Sequence, residues 1–176
     1  MSTYIRPDAA KLMLNEEQMR RAISIGCSRQ LAALRKQRPG FYGNTGEDAW
    51  TQHIEGCGGE LAGCLYYELP WSGYADELRK GGIKLPDGGD RVEFRTRLKP
   101  YYELIVHPDD CDDRAFVLVT GMMPRYFIQG WIEGHRAKRN DWWHDPSQKN
   151  RWAYFVPTGQ LHPPHTLRDW LREDPF

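Results

Sequence analysis

Glu93 and Arg95 are the pair of residues whose types and spacing most directly indicate chemistry. They lie two positions apart in an alternating stretch, residues 91–97, that predicts a β-strand. Side chains at positions i and i+2 of a strand point to the same face of a sheet. A metal-binding carboxylate and a guanidinium can therefore meet one phosphate group at this face. A solvent-facing ion pair is the alternative interpretation of the same spacing.

Two further carboxylates precede this strand. Glu60 belongs to residues 58–67, where small and apolar residues recur as in a helix packed closely on a sheet, with Glu60 in its first turn. Asp87 follows Pro86 in a glycine-rich connection. Hydrolysis of a phosphodiester uses Mg²⁺ ions, which take oxygen ligands, activate water and neutralise charge on the phosphate. Two or three converging carboxylates would supply such a site.

The order of these features resembles the metal-binding core of the PD-(D/E)XK nucleases. The resemblance spans residues 55–132 and consists of a helix with Glu60, then Pro86-Asp87, then Glu93-Phe94-Arg95 on a strand. It implies that Asp87 and Glu93 bind Mg²⁺ or Mn²⁺ and that Glu60 completes or orients the site. It also implies that Arg95 stands where the family has its lysine and contacts the scissile phosphate of DNA.

The stretches at residues 116–121, 130–134 and 153–157 look like parts of small proteins, encoded by phages and prophages, that share this core. This resemblance implies a phage origin and the cytoplasm of a bacterial host cell as the location.

The spacing of Asp87 and Glu93 sets a condition on the site. Five residues separate them, and on one extended strand they would lie about 20 Å apart. Gly88-Gly89 must bend the chain for both carboxylates to reach one ion, and Asp90 is the fallback ligand. Turn chemistry alone also explains the glycines, and a favourable helix dipole alone explains Glu60.

The arginine at position 95 also leads to an alternative hypothesis about function. Arginine stays protonated near neutral pH and does not readily act as an acid or base, whereas lysine can polarise an attacking water. The alternative hypothesis is a catalytically inactive nuclease-like protein that binds another protein, such as a phage inhibitor of a host defence complex (anti-CRISPR-type). The acidic loop at residues 109–113 would then imitate phosphates. Carboxylate oxygens within about 5 Å of one point would favour the nuclease, and side chains that point apart would favour the binding protein.

Basic and aromatic residues after the predicted core strands are candidates for contact with DNA. Clustered cations follow backbone phosphates, and exposed indoles stack on bases. A solvated charged face and core packing of the indoles are the alternatives. The candidate nucleic-acid-binding residues are Arg136, Lys138, Arg139, Trp142, Lys149 and Arg151, with Trp143 beside them.

Composition bounds the class of protein. The 176 residues include 24 basic and 24 acidic side chains, seven Trp and nine Tyr, which predicts one domain with an aromatic core and no overall preference for nucleic acid. The sequence lacks a long apolar run and a signal-peptide pattern, so no membrane partner is expected. The cysteines lack Cys-x-x-Cys spacing and predict free thiols. Zinc is disfavoured because His162-Pro-Pro-His165 is too kinked to place both histidines on one helical face.

Helices and strands are predicted in a mixed order. Residues 1–14 are predicted to be an arm, Asn15 and Gln18 form a capping box that begins the first helix, and Asp48 caps a second. Strands at 83–85, 91–97 and 102–106 are predicted to form a meander. The remaining predicted elements are a central strand at 115–121, its neighbour at 126–132, a helical segment at 134–143, a strand at 153–157 and a last helix at 166–173.

The predicted fold class is α/β, with a central mixed β-sheet flanked by helices and an N-terminal helix. Residues 1–46 would form the N-terminal helix and loop, and residues 47–176 the nuclease-like core.

Overall fold

The computed structural model describes residues 5–35, 47–75, 79–80 and 83–173. The described part of the chain contains four α-helices and nine strands. In chain order these are β1 (Ala10–Met13), α1 (Glu16–Arg35), α2 (Glu47–Tyr67), β2 (Arg79–Lys80), β3 (Ile83–Lys84), β4 (Val92–Arg97), β5 (Leu104–Val106), β6 (Ala115–Met122), β7 (Arg125–Glu133), α3 (Gly134–Ala137), β8 (Trp143–His144), β9 (Ala153–Val156) and α4 (Leu167–Arg172). Short 3-10 turns lie at Asn140–Trp142, Thr158–Gln160 and Pro164–Thr166.

The main sheet has the strand order β1-β7-β6-β4. The β1/β7 and β7/β6 pairs are antiparallel, whereas β6 and β4 are parallel. Residues 115–120 of β6 are all buried, as a nearly continuous apolar run predicts for a strand covered on both faces. The prediction of a central strand with its neighbour at 126–132 is confirmed, and so is the α/β class with a mixed sheet.

Different elements cover the two faces of this sheet. Helix α2 packs on one face and α1 packs on α2, with Leu61, Val117 and Ile128 in the shared core. On the other face a second sheet, of order β5-β9-β8, contributes Leu104 and Val156 to a separate core cluster. The prediction is a sheet flanked by helices, whereas the main cover of the second face is another sheet.

Several predicted connections are wrong. Instead of forming a meander, β3 pairs with β2, β4 pairs in parallel with β6, and β5 pairs with β9. The partners of β4 and β5 lie far from them in the sequence, so local alternation does not identify these pairs. The arm at residues 1–14 contains β1, which extends the main sheet at β7, and the helical segment at 134–143 is interrupted before β8.

The capping box of the first helix is confirmed. The Asn15 N–H donates to Gln18 Oε1 at 2.8 Å, and the Gln18 N–H donates to Asn15 Oδ1 at 2.9 Å. The predicted end of this helix before Pro39 and the loop that follows lie outside the described residues. Helix α2 begins at Glu47, one residue before the predicted cap, and runs without interruption to Tyr67.

The cysteines of the chain are not paired in disulfides. All four cysteines are in the described ranges and are free, as predicted. Burial raises the pKa of Cys57 to about 12, so this thiol is unreactive near neutral pH.

Within the described ranges, no helix has both the length and the apolar character needed to cross a membrane.

Gly26 fixes the approach of α1 to α2 and is expected to be intolerant of a side chain. A Cβ at this position would lie 2.6 Å from Ile54 Cα and 2.9 Å from the His53 carbonyl oxygen. Since backbone atoms cannot move aside cheaply, Gly26→Ala should lower the free energy of unfolding by about 1–3 kcal/mol in urea denaturation. Gly56→Ala on α2 is the control, because no atom lies within 4 Å of its Cβ. Equal stability of the two variants would contradict the close contact of the helices.

Candidate active site

A tight bend brings Asp87 beside strand β4. Gly89 has a φ of +56°, which glycine adopts without strain, and Gly88 forms a bridge with Val92. The Asp87 N–H donates to the Val92 carbonyl at 3.1 Å, and Asp87 Oδ2 accepts the Phe94 N–H at 3.0 Å. The predicted bend at Gly88-Gly89 is therefore confirmed.

Asp87 and Glu93 converge on one point, where the Lys84 ammonium lies. Lys84 Nζ is 3.5 Å from Asp87 Oδ1 and 3.1 Å from Glu93 Oε2. Both carboxylates are buried, with 6% and 2% of their surface exposed. Burial alone would lower the pKa of Lys84, but Asp87 and Glu93 raise it above its ordinary value. The ammonium is thus a charged group held between two carboxylates.

Glu93 also contacts two arginines. Arg95 Nη1 donates to Oε2 at 3.3 Å, and Arg114 Nη1 donates to Oε1. Arg114 precedes β6, and the parallel pairing of β6 with β4 brings it beside Glu93. The second contact of Arg114 is a hydrogen bond to the Lys84 carbonyl. Sequence analysis identified neither Arg114 nor Lys84 as part of the site.

Glu60 is held by a different set of donors. Arg29 binds both of its oxygens, at 2.6 and 2.8 Å, and the Trp71 indole N–H donates to Oε2 at 3.1 Å. The prediction that Glu60 lies in the first turn of its helix is wrong, because α2 begins at Glu47. The helix dipole therefore does not account for this carboxylate.

Electrostatic coupling joins the three carboxylates into one cluster. Burial raises the pKa of Glu60 and of Glu93, and the charge of Asp87 raises both further. The neighbouring cations act in the opposite direction, Arg29 on Glu60 and chiefly Arg95 on Glu93. Buried acids whose pKa is perturbed by each other are a feature of functional sites.

Arg95 is fixed between two acids. Its Nη2 donates to both oxygens of Asp110 at 2.8 Å, while Nη1 donates to Glu93. Asp110 belongs to the acidic loop but turns inward. Burial opposes its ionisation, yet Arg95 and the His107 N–H hold its pKa below the ordinary value. Arg95 therefore orders the cluster and ties it to the acidic loop.

The cluster balances its charges. Its carboxylates are Glu60, Asp87, Glu93 and Asp110, and its cations are Arg29, Lys84, Arg95 and Arg114. The described part of the cluster thus has four groups of each sign, and its formal net charge is zero.

The carboxylate oxygens at Lys84 are of the kind that binds divalent cations. Among the described residues, no group of three or more His, Cys, Asp or Glu side chains is arranged to hold a metal ion. Mg²⁺, however, is commonly bound by one or two carboxylates together with waters and substrate phosphates. Asp87 and Glu93 are two such carboxylates, and the Lys84 ammonium lies between them. The Lys84 side chain is 41% exposed, so it has room to move toward solvent.

The predicted nucleic-acid-binding residues are not equally available. Arg136 and Arg139 have side chains that are 58% exposed, and they pair with Glu133 and Asp141. Lys138 is 17% exposed, because it donates to the carbonyls of residues 108 and 110 and pairs with Asp112. Lys138 therefore links this segment to the acidic loop.

The remaining members of this group lie farther along the chain. Trp142 is half-buried, packs against the second core cluster and lies under Arg139 at 5.0 Å. Trp143 stacks on Trp152 at 5.9 Å. Lys149 is exposed and Arg151 is half-buried. The exposed cations of the group thus come after the acidic loop in the sequence.

Comparison of the chain with family models, with curated proteins and with solved structures finds no match. The resemblance to the nuclease core stays a prediction. Interpretation of the site accordingly rests on its own geometry and charges.

Proposed function

We propose that the protein is a metal-dependent nuclease that hydrolyses phosphodiester bonds in DNA. The observation that carries this proposal is the contact of the Lys84 ammonium with both Asp87 and Glu93. The nuclease core that the sequence resembles combines an aspartate, a glutamate and a lysine in one site. In this chain the lysine comes from β3 instead of the position of Arg95, so the same three groups meet in space.

Each group has a distinct role in this proposal. Bound Mg²⁺ or Mn²⁺ would activate water and neutralise charge on the phosphate. Asp87 and Glu93 would hold the ion, and the Lys84 ammonium would donate hydrogen bonds to the water or the phosphate, as lysine can. Arg95 orients Glu93, and Glu60 lies beside Asp87 as an orienting carboxylate. The protein would act in the cytoplasm of a bacterial host, as a phage-encoded enzyme.

Exposed cations that come after the acidic loop in the sequence would contact the phosphates of the DNA backbone. Arg136, Arg139 and Lys149 are exposed enough to reach phosphates. Because such contacts release counterions, binding should weaken as salt rises.

Lys84→Met is the variant that tests this assignment. Removal of the competing ammonium should tighten Mn²⁺ binding by about tenfold, since the ion no longer displaces a cation from Asp87 and Glu93. Cleavage should nevertheless fall by about 10²-fold or more, the usual loss when a group that handles protons or water is removed. Calorimetric titration with Mn²⁺ and a plasmid-cleavage assay on the same sample measure the two effects.

Lys11→Met removes an exposed lysine from β1 and serves as the matched control. It should change neither quantity. Unchanged or weaker Mn²⁺ binding by Lys84→Met would refute the assignment of this position to the metal.

A second candidate function is supported by the charge balance of the cluster. Because each of its carboxylates already has a basic partner, the cluster is a complete network without metal. The acidic loop also presents Asp109, Asp112 and Asp113 to solvent, a group of charges that suits a basic protein surface. This candidate is a nuclease-like protein without activity that binds a host defence complex. Absence of divalent-cation binding in both the wild type and Lys84→Met would favour it.

A further inference from the structure

A pocket lies beside the carboxylate cluster, between α2, β4 and β5. Its volume is about 150 Å³, and Glu60, Arg95, Thr96, Arg97 and His107 are among the residues that line it. A water molecule takes roughly 30 Å³ of liquid volume. The pocket therefore has the volume of roughly five waters and can accept a small anion such as a phosphate group.

Arg97 differs from the other cations around the cluster. Arg29, Lys84, Arg95 and Arg114 each bind a carboxylate, whereas no carboxylate pairs with Arg97 in the part of the chain that the structure describes. Its buried Nε–H has no hydrogen-bond partner among the described residues. The guanidinium lies over the Tyr102 ring, with 4.7 Å between its central carbon and the ring centroid.

An unpaired, half-buried guanidinium costs stability and requires an explanation. Burial lowers the pKa of Arg97, and Tyr102 and Glu103 only partly oppose this effect. Arginine nevertheless stays protonated in proteins. The positive charge of Arg97 is therefore not compensated by an ion pair within the described residues.

The other ionisable residues that line the pocket are neutral or are already paired with a group of opposite charge. Glu60 accepts a forked pair of bonds from Arg29, so its charge is neutralised. The guanidinium of Arg95 binds Asp110 and Glu93, although its buried Nε–H has no partner within the described ranges. Burial and Arg95 lower the pKa of His107 below its ordinary value, which keeps this imidazole neutral near pH 7. The pocket thus has a net positive charge that belongs to Arg97.

Arg97 and Arg95 stand two positions apart on β4, so both side chains project from the same face of the strand. Arg95 contacts the carboxylate cluster directly, and the pocket therefore lies next to the proposed cleavage site. We propose that this pocket binds a phosphate group of a DNA strand, adjacent to the phosphate that is cut, with Arg97 as its principal ligand. The assignment of the strand as DNA rests on the proposed function, whereas the anion site itself does not.

The test is binding of a fluorescein-labelled oligothymidylate in EDTA, followed by fluorescence anisotropy at several salt concentrations. EDTA removes metal and cleavage from the measurement. Arg97→Gln should weaken binding by about tenfold, and the slope of log K against log salt should fall by about 0.7 because one phosphate contact is lost. Arg172→Gln is the matched control, since its side chain is 78% exposed on α4; it should bind like the wild type.

A second measurement separates binding from folding. Since Arg97 has no carboxylate partner in the described chain, Arg97→Gln should melt at the wild-type Tm or above it. Inorganic phosphate, compared with chloride at equal ionic strength, should raise the Tm of the wild type and not that of Arg97→Gln.

Equal oligonucleotide affinity of Arg97→Gln and Arg172→Gln, or no binding of either probe by the wild type, would overturn the proposal. Arg97-dependent binding of inorganic phosphate without binding of the oligonucleotide would support the anion site and overturn its assignment to a strand. Arg97-dependent binding by a protein that never cleaves DNA would count against the nuclease function alone.

Discussion

Asp87→Asn is expected to reduce metal-dependent DNA cleavage by about 10³-fold, a loss typical of removing one key electrostatic group from an active site. Asp87 is one of two carboxylates that meet at the Lys84 ammonium. The asparagine side-chain oxygen can still accept the Phe94 N–H, which Asp87 Oδ2 accepts at 3.0 Å. The substitution thus removes charge and retains local structure. Cleavage of supercoiled plasmid with Mn²⁺ measures the effect.

The same variant should stay folded. Loss of the Asp87 charge removes its attraction for Lys84 and also its repulsion of Glu60 and Glu93, and Lys84 keeps Glu93 as a partner. Urea denaturation should give a cooperative transition and a free energy of unfolding at most about 1–3 kcal/mol below that of the wild type. Asp90→Asn is the matched control, because Asp90 is exposed three residues along the chain and should retain activity. Wild-type cleavage by Asp87→Asn would contradict the assignment of the site.

Glu93→Ala is expected to lower the free energy of unfolding by about 3–5 kcal/mol, the usual cost of removing one partner of a buried ion pair. Arg114 is 9% exposed, and its remaining contact is the Lys84 carbonyl. Lys84 and Arg95 keep Asp87 and Asp110 as partners, so most of the loss arises at Arg114. Urea denaturation measures it.

Two further variants separate this effect from general damage to the core. Glu16→Ala breaks an ion pair in which both side chains are 76% exposed, and it should cost at most about 1 kcal/mol. Adding Arg114→Met to Glu93→Ala removes the orphaned cation and should restore much of the lost stability. A Glu93→Ala protein as stable as Glu16→Ala, or one that Arg114→Met does not rescue, would show that the ion-pair network is not what Glu93 stabilises.

Local patterns in the sequence predicted local structure well. The Asn15 and Gln18 capping box depends only on residues three apart, and the apolar run of β6 reflects burial on both faces. The bend at Gly88-Gly89 was also predictable, because a carboxylate at Asp87 cannot otherwise approach β4. In each case the physical cause lies within a few residues of the signal.

The small residues of α2 correctly predicted a helix packed closely on a sheet, but the start of the helix was predicted too late. The pattern begins at Gly58, which lies inside α2. A Cβ at Gly59 would lie 2.1 Å from the Thr96 hydroxyl oxygen, and one at Gly63 would lie 2.2 Å from the Phe94 ring. These glycines allow α2 to approach β4 closely, and this approach places Glu60 near Asp87.

Four of the eight residues of the cluster were not predicted as site residues. Arg114 reaches Glu93 only because β6 runs parallel to β4, and such a pairing depends on the whole topology. Lys84 precedes Asp87 by three positions, and this short spacing was a signal in the sequence. It was missed because the family pattern has its lysine after the glutamate and not before the aspartate. In the proposed function, Lys84 on β3 supplies the lysine that the family pattern has at the position of Arg95.

Calorimetric titration of Mn²⁺ into the wild type and Asp87→Asn, with plasmid cleavage assayed on the same samples, decides whether the protein is a metal-dependent nuclease. We expect that the wild type binds the ion and cleaves DNA, and that Asp87→Asn loses both properties while it stays folded. A wild-type protein that binds no divalent cation and leaves the plasmid intact would contradict the nuclease function and favour a protein-binding role for this scaffold.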